Sequence, residues 1–353
     1  MIRRKTREIR IGNVIIGGEN PVAIQSMTKT KTEDIGFTLA QIKELEEAGC
    51  EMVRIALPTL SSAKSLSRIK EKTKLPLIAD VHFNYKIALQ AIDSGCDKLR
   101  LNPGNISAKD KVAEIARKAR EYKIPIRVGA NSGSVKDGET LVSSCLREIR
   151  ALEKEDFFDI VISLKGTEIE ETVSAYREMA ELTDYPFHIG ITEAGPIFSG
   201  SIKSAVGCGI LLKEGFGDTI RVSLTAHPVE EVKVAKEILS ALNLRHFGPE
   251  IISCPTCGRC KVSLFSIARE IEEKIKDRTC LVAKRIAIMG CEVNGPKEAK
   301  RADFGLVGGA KCLIFRSGKI VAKVSPEDAA KALLDEILRQ EKILFFCGFS
   351  PIL

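Results

Sequence analysis

The chain has 353 residues and an ordinary globular composition, with 44% hydrophobic and 5% aromatic residues, which is enough for one large domain and a smaller one. Its 54 basic and 47 acidic residues are interleaved, leave a net charge of +7 and form no basic arm, so a nucleic-acid partner has little support. A diffuse basic balance instead fits an anionic small substrate or an acidic protein partner.

Neither end of the chain predicts a membrane span or an export signal. The basic start is followed by a Gly-Gly-Glu-Asn-Pro break at residues 17–21, and the apolar stretch 343–349 is far shorter than the roughly 20 residues that a bilayer requires. The 11 cysteines are scattered through apolar stretches, which is typical of reduced thiols rather than of a disulfide framework. We therefore expect a cytoplasmic protein.

From residue 21 to about residue 245, short β-rich runs alternate with amphipathic helical stretches such as 38–49 and 229–239, a pattern typical of βα units around a parallel sheet. Strands are predicted at residues 21–26, 52–57, 77–82, 98–102, 126–131, 160–165, 187–192 and 219–224. Eight such units in about 250 residues predict a (β/α)8 TIM-like barrel over residues 1–245. A doubly wound open sheet is the alternative, but no G-x-G-x-x-G turn follows the first strand.

After residue 246 the composition changes toward cysteine and glycine, which predicts a second, smaller α/β domain over residues 246–353. We expect a helix at 264–276, a strand at 285–289, a hairpin at 312–324 and a final helix. The final helix is predicted to begin at Ser325 as the N-cap, with Pro326 at its first position.

Polar and charged residues occur near the carboxyl end of nearly every barrel strand, where a strand buried on both faces normally carries Val, Ile or Leu. Several pairs are spaced i, i+2, which puts both side chains on the same face of a strand, here the barrel interior or its mouth. These residues are Arg54, Asp80, His82, Arg100, Asn102, Arg127, Asn131, Ser163, Lys165, Glu193, Arg221 and Ser223.

Five cationic side chains at one barrel mouth predict a strongly anionic ligand, because an unpaired buried charge costs several kcal/mol. Phosphate or diphosphate is the predicted ligand, since guanidinium groups match phosphate oxygens and barrel enzymes carry out their reactions at the carboxyl ends of the strands. The alternative is a structural network in which Asp80 and Glu193 pair with the arginines. His82 alone would be an ordinary core histidine, but its i, i+2 position relative to Asp80 favours a functional role.

The second domain contains a Cys254-Pro-Thr-Cys257 turn and a Met-Gly-Cys-Glu-Val-Asn-Gly-Pro-Lys-Glu segment from residue 289 to residue 298. The Cys-x-x-Cys turn is typical of a zinc knuckle, but no second such pair follows it. An iron-sulfur cluster requires three or four thiolates, which Cys254, Cys257 and Cys291 begin to supply. Cys260 is a further candidate, and ligand softness alone favours it over Glu298.

Together, the cationic strand ends and the cysteine motifs resemble the 4-hydroxy-3-methylbut-2-enyl diphosphate synthase family. The matches extend over nearly the whole chain and occur in the family's order. They are Ile24-Gln-Ser-Met-Thr, Ile78-Ala-Asp-Val-His-Phe, Leu99-Arg-Leu-Asn-Pro-Gly-Asn, Arg127-Val-Gly-Ala-Asn-Ser-Gly-Ser, Thr192-Glu-Ala-Gly and Ser253-Cys-Pro-Thr-Cys-Gly-Arg.

The resemblance implies reductive ring opening of 2-C-methyl-D-erythritol 2,4-cyclodiphosphate by a barrel domain and a [4Fe-4S] domain, in isoprenoid biosynthesis. By motif, the cluster ligands are Cys254, Cys257, Cys291 and Glu298, which displaces Cys260. A carboxylate ligand is more easily exchanged than a thiolate, so Glu298 would leave one iron open to substrate. Glu193 is the implied proton donor, and the barrel cations would hold the diphosphate.

The resemblance also implies a homodimer and an electron donor that is reduced ferredoxin or flavodoxin. Both donors are acidic, and basic residues near the cluster motifs are a candidate docking patch, or merely a solvated surface: Arg259, Lys261, Lys297, Lys300 and Arg301. The competing hypothesis is a zinc-stabilised barrel that binds a phosphorylated ligand or nucleic acid without redox chemistry.

Overall fold

The structure is a computed structural model that describes residues 3–82, 84–102, 109–131, 135, 138–166, 168–275 and 283–346. Parts of three sequence motifs, at 83, 103–105 and 132–134, lie outside the described residues, as do Cys280 and the end of the tail from 347. The chain divides into two compact units, Met1–Arg245 and His246–Leu353. Over the described ranges, no helix combines the length and apolarity that a membrane crossing needs.

The first unit begins with an antiparallel hairpin of β1 (Ile9–Ile11) and β2 (Val14–Ile16), which the sequence analysis did not predict. Its buried isoleucines pack against side chains at the start of the barrel strands, including Ala23, Met52 and Val161. Because these contacts lie at the amino ends of the strands, the hairpin covers that end of the barrel, and the carboxyl ends form its mouth.

Eight parallel strands follow, and each predicted strand corresponds to one of them. They are β3 (Ala23–Met27), β4 (Met52–Ala56), β5 (Leu77–Asp80), β6 (Lys98–Arg100), β7 (Ile126–Asn131), β8 (Ile160–Lys165), β9 (His188–Ile189) and β10 (Thr219–Ile220). The strand order is β8-β7-β6-β5-β4-β3-β10-β9, and a parallel bridge between Ile162 and Phe187 joins β8 to the chain entering β9. The sheet therefore closes on itself, which confirms the barrel and excludes the open-sheet alternative.

A helix follows each barrel strand. The helices are α1 (Ile35–Glu47), α2 (Leu60–Lys70), α3 (Tyr85–Asp93), α4 (Lys109–Glu121), α5 (Leu141–Glu153), α6 (Ile169–Leu182), α7 (Ile197–Lys213) and α8 (Pro228–Ala241). Several begin with a side-chain cap, as at Thr59 and Thr140, where the hydroxyl accepts a hydrogen bond from the N–H three residues on. Apolar faces such as Leu66 and Ile69 of α2 are fully buried.

The second unit is a five-stranded mixed sheet with helices on both faces. Its elements are β11 (Glu250–Ser253), α9 (Leu264–Ile275), β12 (Arg285–Met289), α10 (Gly295–Arg301), β13 (Phe304–Val307), β14 (Cys312–Arg316), β15 (Lys319–Val324) and α11 (Ala329–Phe346). Strands β11, β12 and β13 are parallel, while β13, β14 and β15 are antiparallel. The predicted helix at 264–276, strand at 285–289 and hairpin at 312–324 are confirmed.

The last helix differs from its prediction at the start. Helix α11 begins at Ala329, not beside Ser325, because residues 326–328 form a separate turn. The Ser325 hydroxyl instead stabilises this turn, where it accepts a 3.3 Å hydrogen bond from the Asp328 N–H. The residue before the helix is Asp328, so the predicted positions of the N-cap and of Pro326 are wrong by about one turn.

Candidate active site

The inward side chains above the amino-terminal hairpin are polar on every barrel strand. They include Gln25, Arg54, Asp80, Lys98, Arg100, Arg127, Ser163, Lys165, His188, Thr219 and Arg221. The parallel register brings neighbours on adjacent strands together, with Asp80 beside Arg100 and Arg100 beside Arg127. The i, i+2 spacing read from the sequence therefore does produce one cluster of charge inside the barrel.

Asp80 is in contact with three of the predicted site residues. Its carboxylate lies 2.5 Å from Arg54 Nη2, 3.6 Å from Arg100 Nη1 and 3.5 Å from His82 Nε2. Arg100 Nη1 is in turn 3.0 Å from His82 Nδ1. Burial raises the pKa of Asp80, but Arg54, His82 and Arg100 lower it by a larger amount. The net effect holds the pKa of this carboxyl well below its usual range, so the group stays ionised. Part of the cation cluster is thus paired, as the network alternative predicts.

The remaining cations exceed what Asp80 can neutralise. Arg127 is 3% exposed, and its Nε and Nη1 have no hydrogen-bond partner among the described residues. Burial, followed by the charges of Arg54 and Arg100, lowers the pKa of Arg127 well below its ordinary value. Burial and Arg54 similarly lower the pKa of Arg221 to about 10. Burial and the charge of Arg221 also lower the pKa of Lys165, which lies near these arginines. Such an excess of buried positive charge is typical of an anion site.

Asn102 was predicted to bind substrate, but the structure gives its side chain a different contact. Its Nδ2 donates a 2.6 Å hydrogen bond to the Gly129 carbonyl oxygen, and its Oδ1 accepts one of 3.3 Å from the Gly129 N–H. Both ends of the buried amide are occupied by the backbone of β7. Asn102 therefore extends the β6–β7 pairing at the mouth.

The other predicted residues lie at the rim of the barrel. Glu193 is exposed in the turn after β9 and has a positive φ of 50°, in the left-handed region that non-glycine residues seldom adopt. Asn131 ends β7 opposite Lys165 of β8, and Ser223 lies half-buried two residues beyond Arg221. His82 has half of its side chain exposed, which leaves the imidazole accessible at the mouth.

A deeper polar layer was missed as part of the site. Lys98 is fully buried, and its Nζ lies 3.3 Å from Gln25 Oε1. His188 is also fully buried, with Nδ1 2.7 Å from Thr219 Oγ1 and no described partner for Nε2. Burial, reinforced by Arg127 and Lys165, lowers the pKa of His188 and keeps it neutral. The sequence did contain a signal for Lys98: it lies two residues before Arg100 on the same strand, so both side chains point to the same face.

The cysteine motifs lie at the carboxyl ends of β11 and β12, which pair in parallel with Ser253 opposite Ile288. Cys254 directly follows β11, and Cys291 follows β12 by two residues. The Gly290 N–H points at Cys254 Sγ, 3.3 Å away. A side chain at residue 290 would come within 2.5 Å of Cys260 Sγ and 3.5 Å of Cys254 Sγ, so glycine is required for this close approach.

Cys257 is exposed in the turn, whereas Cys260 packs against the larger apolar core of this unit. The Cys260 thiol donates to the Val262 carbonyl oxygen at 3.2 Å. Glu298 lies on the first turn of α10, where its N–H bonds to the Asn294 carbonyl oxygen at 3.3 Å. Across the described part of the chain, no three His, Cys, Asp or Glu side chains are close enough together to hold a metal ion.

Family models match both units. The GcpE TIM-barrel domain matches residues 6–236, and the GcpE protein C-terminal domain matches residues 250–339. Curated relatives named 4-hydroxy-3-methylbut-2-en-1-yl diphosphate synthase (flavodoxin) are similar over nearly their whole length. The protein from Geobacter sulfurreducens is 50% identical over 97% of this chain and 99% of its own, and that from Thermodesulfovibrio yellowstonii is 51% identical over 95% and 99%.

Among solved structures, the barrel is similar to more distant proteins. A dihydropteroate synthase from Stenotrophomonas maltophilia has a TM-score of 0.51 at 12% identity, covering 67% of this chain and 98% of that one. A type I 3-dehydroquinate dehydratase from Clostridium difficile also has a TM-score of 0.51, at 13% identity, over 68% and 98%. Identities this low support the barrel fold alone. By its two family-model matches and its near full-length relatives, the chain belongs to the GcpE family.

Proposed function

We propose that this protein converts 2-C-methyl-D-erythritol 2,4-cyclodiphosphate to (E)-4-hydroxy-3-methylbut-2-enyl diphosphate by two-electron reductive ring opening, in isoprenoid biosynthesis. The printed names of relatives that are about half identical over nearly the full chain support the reaction. The observation that carries it is the buried excess of cations at the barrel mouth, which requires an anion such as a diphosphate.

The diphosphate would be held chiefly by Arg127, Lys165 and Arg221, since Arg127 and Arg221 have buried N–H groups with no hydrogen-bond partner among the described residues and Lys165 lies on the neighbouring strand β8. Arg54 and Arg100 are within reach of the same ligand but are oriented by Asp80. Guanidinium groups preorganised in this way bind phosphate oxygens without first giving up a solvation shell. Asn131, Ser223 and His82, at the rim, would contact the polar part of the substrate. Asn102 is better understood as a residue that positions the strands.

A [4Fe-4S] cluster is the cofactor we propose, bound by Cys254, Cys257, Cys291 and Glu298. Three thiols from two adjacent loops are the donors that such clusters use, and the Gly290 N–H near Cys254 Sγ is the kind of contact that stabilises a thiolate. When bound, the cluster supplies single electrons to the substrate. Cys260 is less suited, because its thiol already donates a hydrogen bond to the Val262 carbonyl oxygen at 3.2 Å.

Glu193 is the proposed proton donor for the oxygen that leaves carbon 3. Its carboxyl group is exposed on the turn that follows β9, at the end of the barrel where the cations lie. The left-handed backbone at this residue is a local conformational cost, and such costs are frequent at functional sites. A carboxylic acid there would protonate the leaving oxygen so that it departs as water.

We further propose flavodoxin as the physiological donor, as the names of the relatives suggest, with ferredoxin as the other acidic candidate. All five basic residues named above, from Arg259 to Arg301, are exposed. None of them has a carboxylate within 4 Å among the described residues, which leaves their charge available to an acidic partner.

A homodimer is proposed from the outer face of α7. Large apolar side chains there recur at four-residue spacing and are exposed by 37–80%: Phe198, Ile202, Val206 and Ile210. The inward face of the same helix carries small residues, including Gly200, Ser204 and Gly207. An apolar stripe turned toward solvent is typical of a protein interface.

The test is an anaerobic assay with the cyclic diphosphate and a chemical or flavodoxin reductant, together with iron and zinc analysis. We expect turnover, about four iron atoms per chain, and broad absorbance near ~400 nm that dithionite bleaches. A colourless protein with stoichiometric zinc and no turnover would instead support the zinc-stabilised barrel. The names of the relatives make that alternative the weaker one.

A further inference from the structure

Lys98 is a buried cationic residue to which the proposed reaction gives no role. It belongs to β6 and points into the barrel, one strand step deeper than Arg100. The side chain is 0% exposed, and the Gln25 amide oxygen at 3.3 Å is its described hydrogen-bond partner. No described carboxylate lies within 4 Å of its Nζ. An amide oxygen carries no net charge, so it cannot compensate a buried ammonium.

The charged groups that face Lys98 make an ammonium less favourable still. Arg54 of β4 and Arg127 of β7 are the cations that act most strongly on it, and neutral His188 of β9 faces it from across the barrel. Asp80 of β5, on the neighbouring strand, is engaged with Arg54 and Arg100. Burial, followed by Arg127 and Arg54, lowers the pKa of Lys98 well below its ordinary value. Burial and the absence of a described carboxylate near Nζ therefore favour the neutral amine of Lys98 in the ligand-free protein.

A polyanion at the barrel mouth would instead favour the protonated form of Lys98. Arg54 and Arg127, the two cations that act against Lys98, are also among the groups that face the proposed diphosphate. Once their charge is neutralised by phosphoryl oxygens, the repulsion on Lys98 is replaced by attraction to the same oxygens, at low local dielectric.

We propose that Lys98 couples substrate binding to proton uptake: when the cyclic diphosphate enters the barrel mouth, Lys98 Nζ takes one proton from the solvent and becomes an ammonium. One N–H bond forms and the buffer loses one proton, so the step is balanced without any other reactant. Lys98 is thus a positioning residue for charge that does not touch the substrate. The inference rests on the proposed substrate site, and it implies that the affinity of this site for the substrate depends on pH.

The experiment is isothermal titration calorimetry of the whole oxidised protein with the cyclic diphosphate, without reductant, so that no turnover takes place. Titrations at about pH 8 in buffers of different ionisation enthalpy give the number of protons taken up. The substrate does not interfere, because each phosphoryl group of a cyclic diphosphate diester has a single, strongly acidic oxygen. We expect uptake of about one proton by the wild type, and a dissociation constant that rises about tenfold per pH unit.

Two variants test the assignment to Lys98. In Lys98→Met the uptake should fall by about one proton relative to the wild type, and the dissociation constant should depend correspondingly less on pH. In Gln25→Glu the new carboxylate lies beside Lys98 and should keep the ammonium charged before the ligand arrives. Because Lys98 then already carries its proton, most of the proton uptake on binding should be lost. The matched control is Lys43→Met, at a side chain 76% exposed on α1, which should retain the wild-type proton count.

The outcomes separate this inference from the proposed function. Absence of substrate binding to the wild type would contradict the substrate site itself. Binding without proton uptake, or an uptake that is not reduced in a folded Lys98→Met or Gln25→Glu variant, would overturn the role of Lys98 while leaving the site intact. If Lys98→Met does not fold, Gln25→Glu alone decides.

Discussion

Asp80 shows how a single residue organises several site residues. Its two carboxylate oxygens contact Arg54 and Arg100, and its ionisation is secured by those cations against the cost of burial. The arginines are thereby held in place before any ligand arrives. Two of the predicted substrate residues have a structural partner as well as a proposed functional one.

The side-chain amide of Asn102 is hydrogen-bonded at both ends to the backbone of Gly129, so a change at this residue should affect stability. Asn102→Ala removes both hydrogen bonds and leaves a buried N–H and a buried carbonyl without a partner. We expect a loss of about 2–3 kcal/mol in the free energy of unfolding. Urea denaturation followed by circular dichroism measures it. A variant that is as stable as the wild type but fails to bind substrate would restore Asn102 to the binding residues.

Glu298 and Cys260 are the two candidates for the fourth cluster ligand, and their alanine variants should behave in opposite ways. Glu298→Ala should abolish turnover while substrate binding at the barrel stays largely intact, because the proposed exchangeable iron ligand is lost and the cation cluster is unchanged. Single-turnover assays and calorimetry measure the two properties separately.

Cys260→Ala is the matched control for Glu298→Ala. Its thiol bonds to the Val262 carbonyl oxygen and packs against the core, so the variant should keep its iron content and absorbance and lose only some stability. Full turnover in Glu298→Ala, together with lost iron in Cys260→Ala, would assign the fourth ligand to Cys260.

At the scale of elements, the eight barrel strands could be predicted because each is a short β-rich run between amphipathic helices. The hairpin of β1 and β2 could not, since each strand has only three residues and the alternation of its burial becomes visible only against the barrel floor. Strand β13 and helix α10 were missed for a similar reason: four and seven residues are too few to establish a period.

The stripe on α7 leads to an element-scale prediction. Val206→Lys places a charge in the middle of the exposed apolar face, where a partner surface would have to bury it, and should convert the proposed dimer into a monomer. Light scattering coupled to size exclusion measures the mass. Tyr122→Lys, at a 52% exposed aromatic at the end of α4, is the control and should leave the mass unchanged. A monomeric wild type, or a dimeric Val206→Lys protein, would contradict the assignment of this face.

For the whole molecule, the location of the charged cluster in the barrel was predictable but the pairing within it was not. Charged residues inside strand patterns indicate a polar barrel interior, because burial of charge has to serve some purpose. Which cation faces Asp80 and which stays without a carboxylate depends on strand register and side-chain reach, as Arg54 and Arg127 show. The same limit applies to Asn102, whose partner is a backbone group that no sequence pattern marks.

Among the described residues, the barrel interior includes a buried cation that no carboxylate pairs with, and its stability should be limited by residues that are proposed to bind substrate. Arg127 is the clearest case, being buried without a described carboxylate within 4 Å. Arg127→Met should raise the free energy of unfolding of the ligand-free protein by about 1–3 kcal/mol, because an apolar side chain of similar length removes repulsion and desolvation together.

The same variant should lose the rise in melting temperature that the cyclic diphosphate gives the wild type, since stabilisation by a ligand depends on its affinity. Differential scanning fluorimetry with and without substrate measures both effects. Arg10→Met, at an exposed arginine of β1, is the control, and its stability should change by less than about 0.5 kcal/mol with the ligand response retained. A less stable Arg127→Met protein would mean that Arg127 is compensated in the empty barrel, and would contradict its need for an anionic ligand.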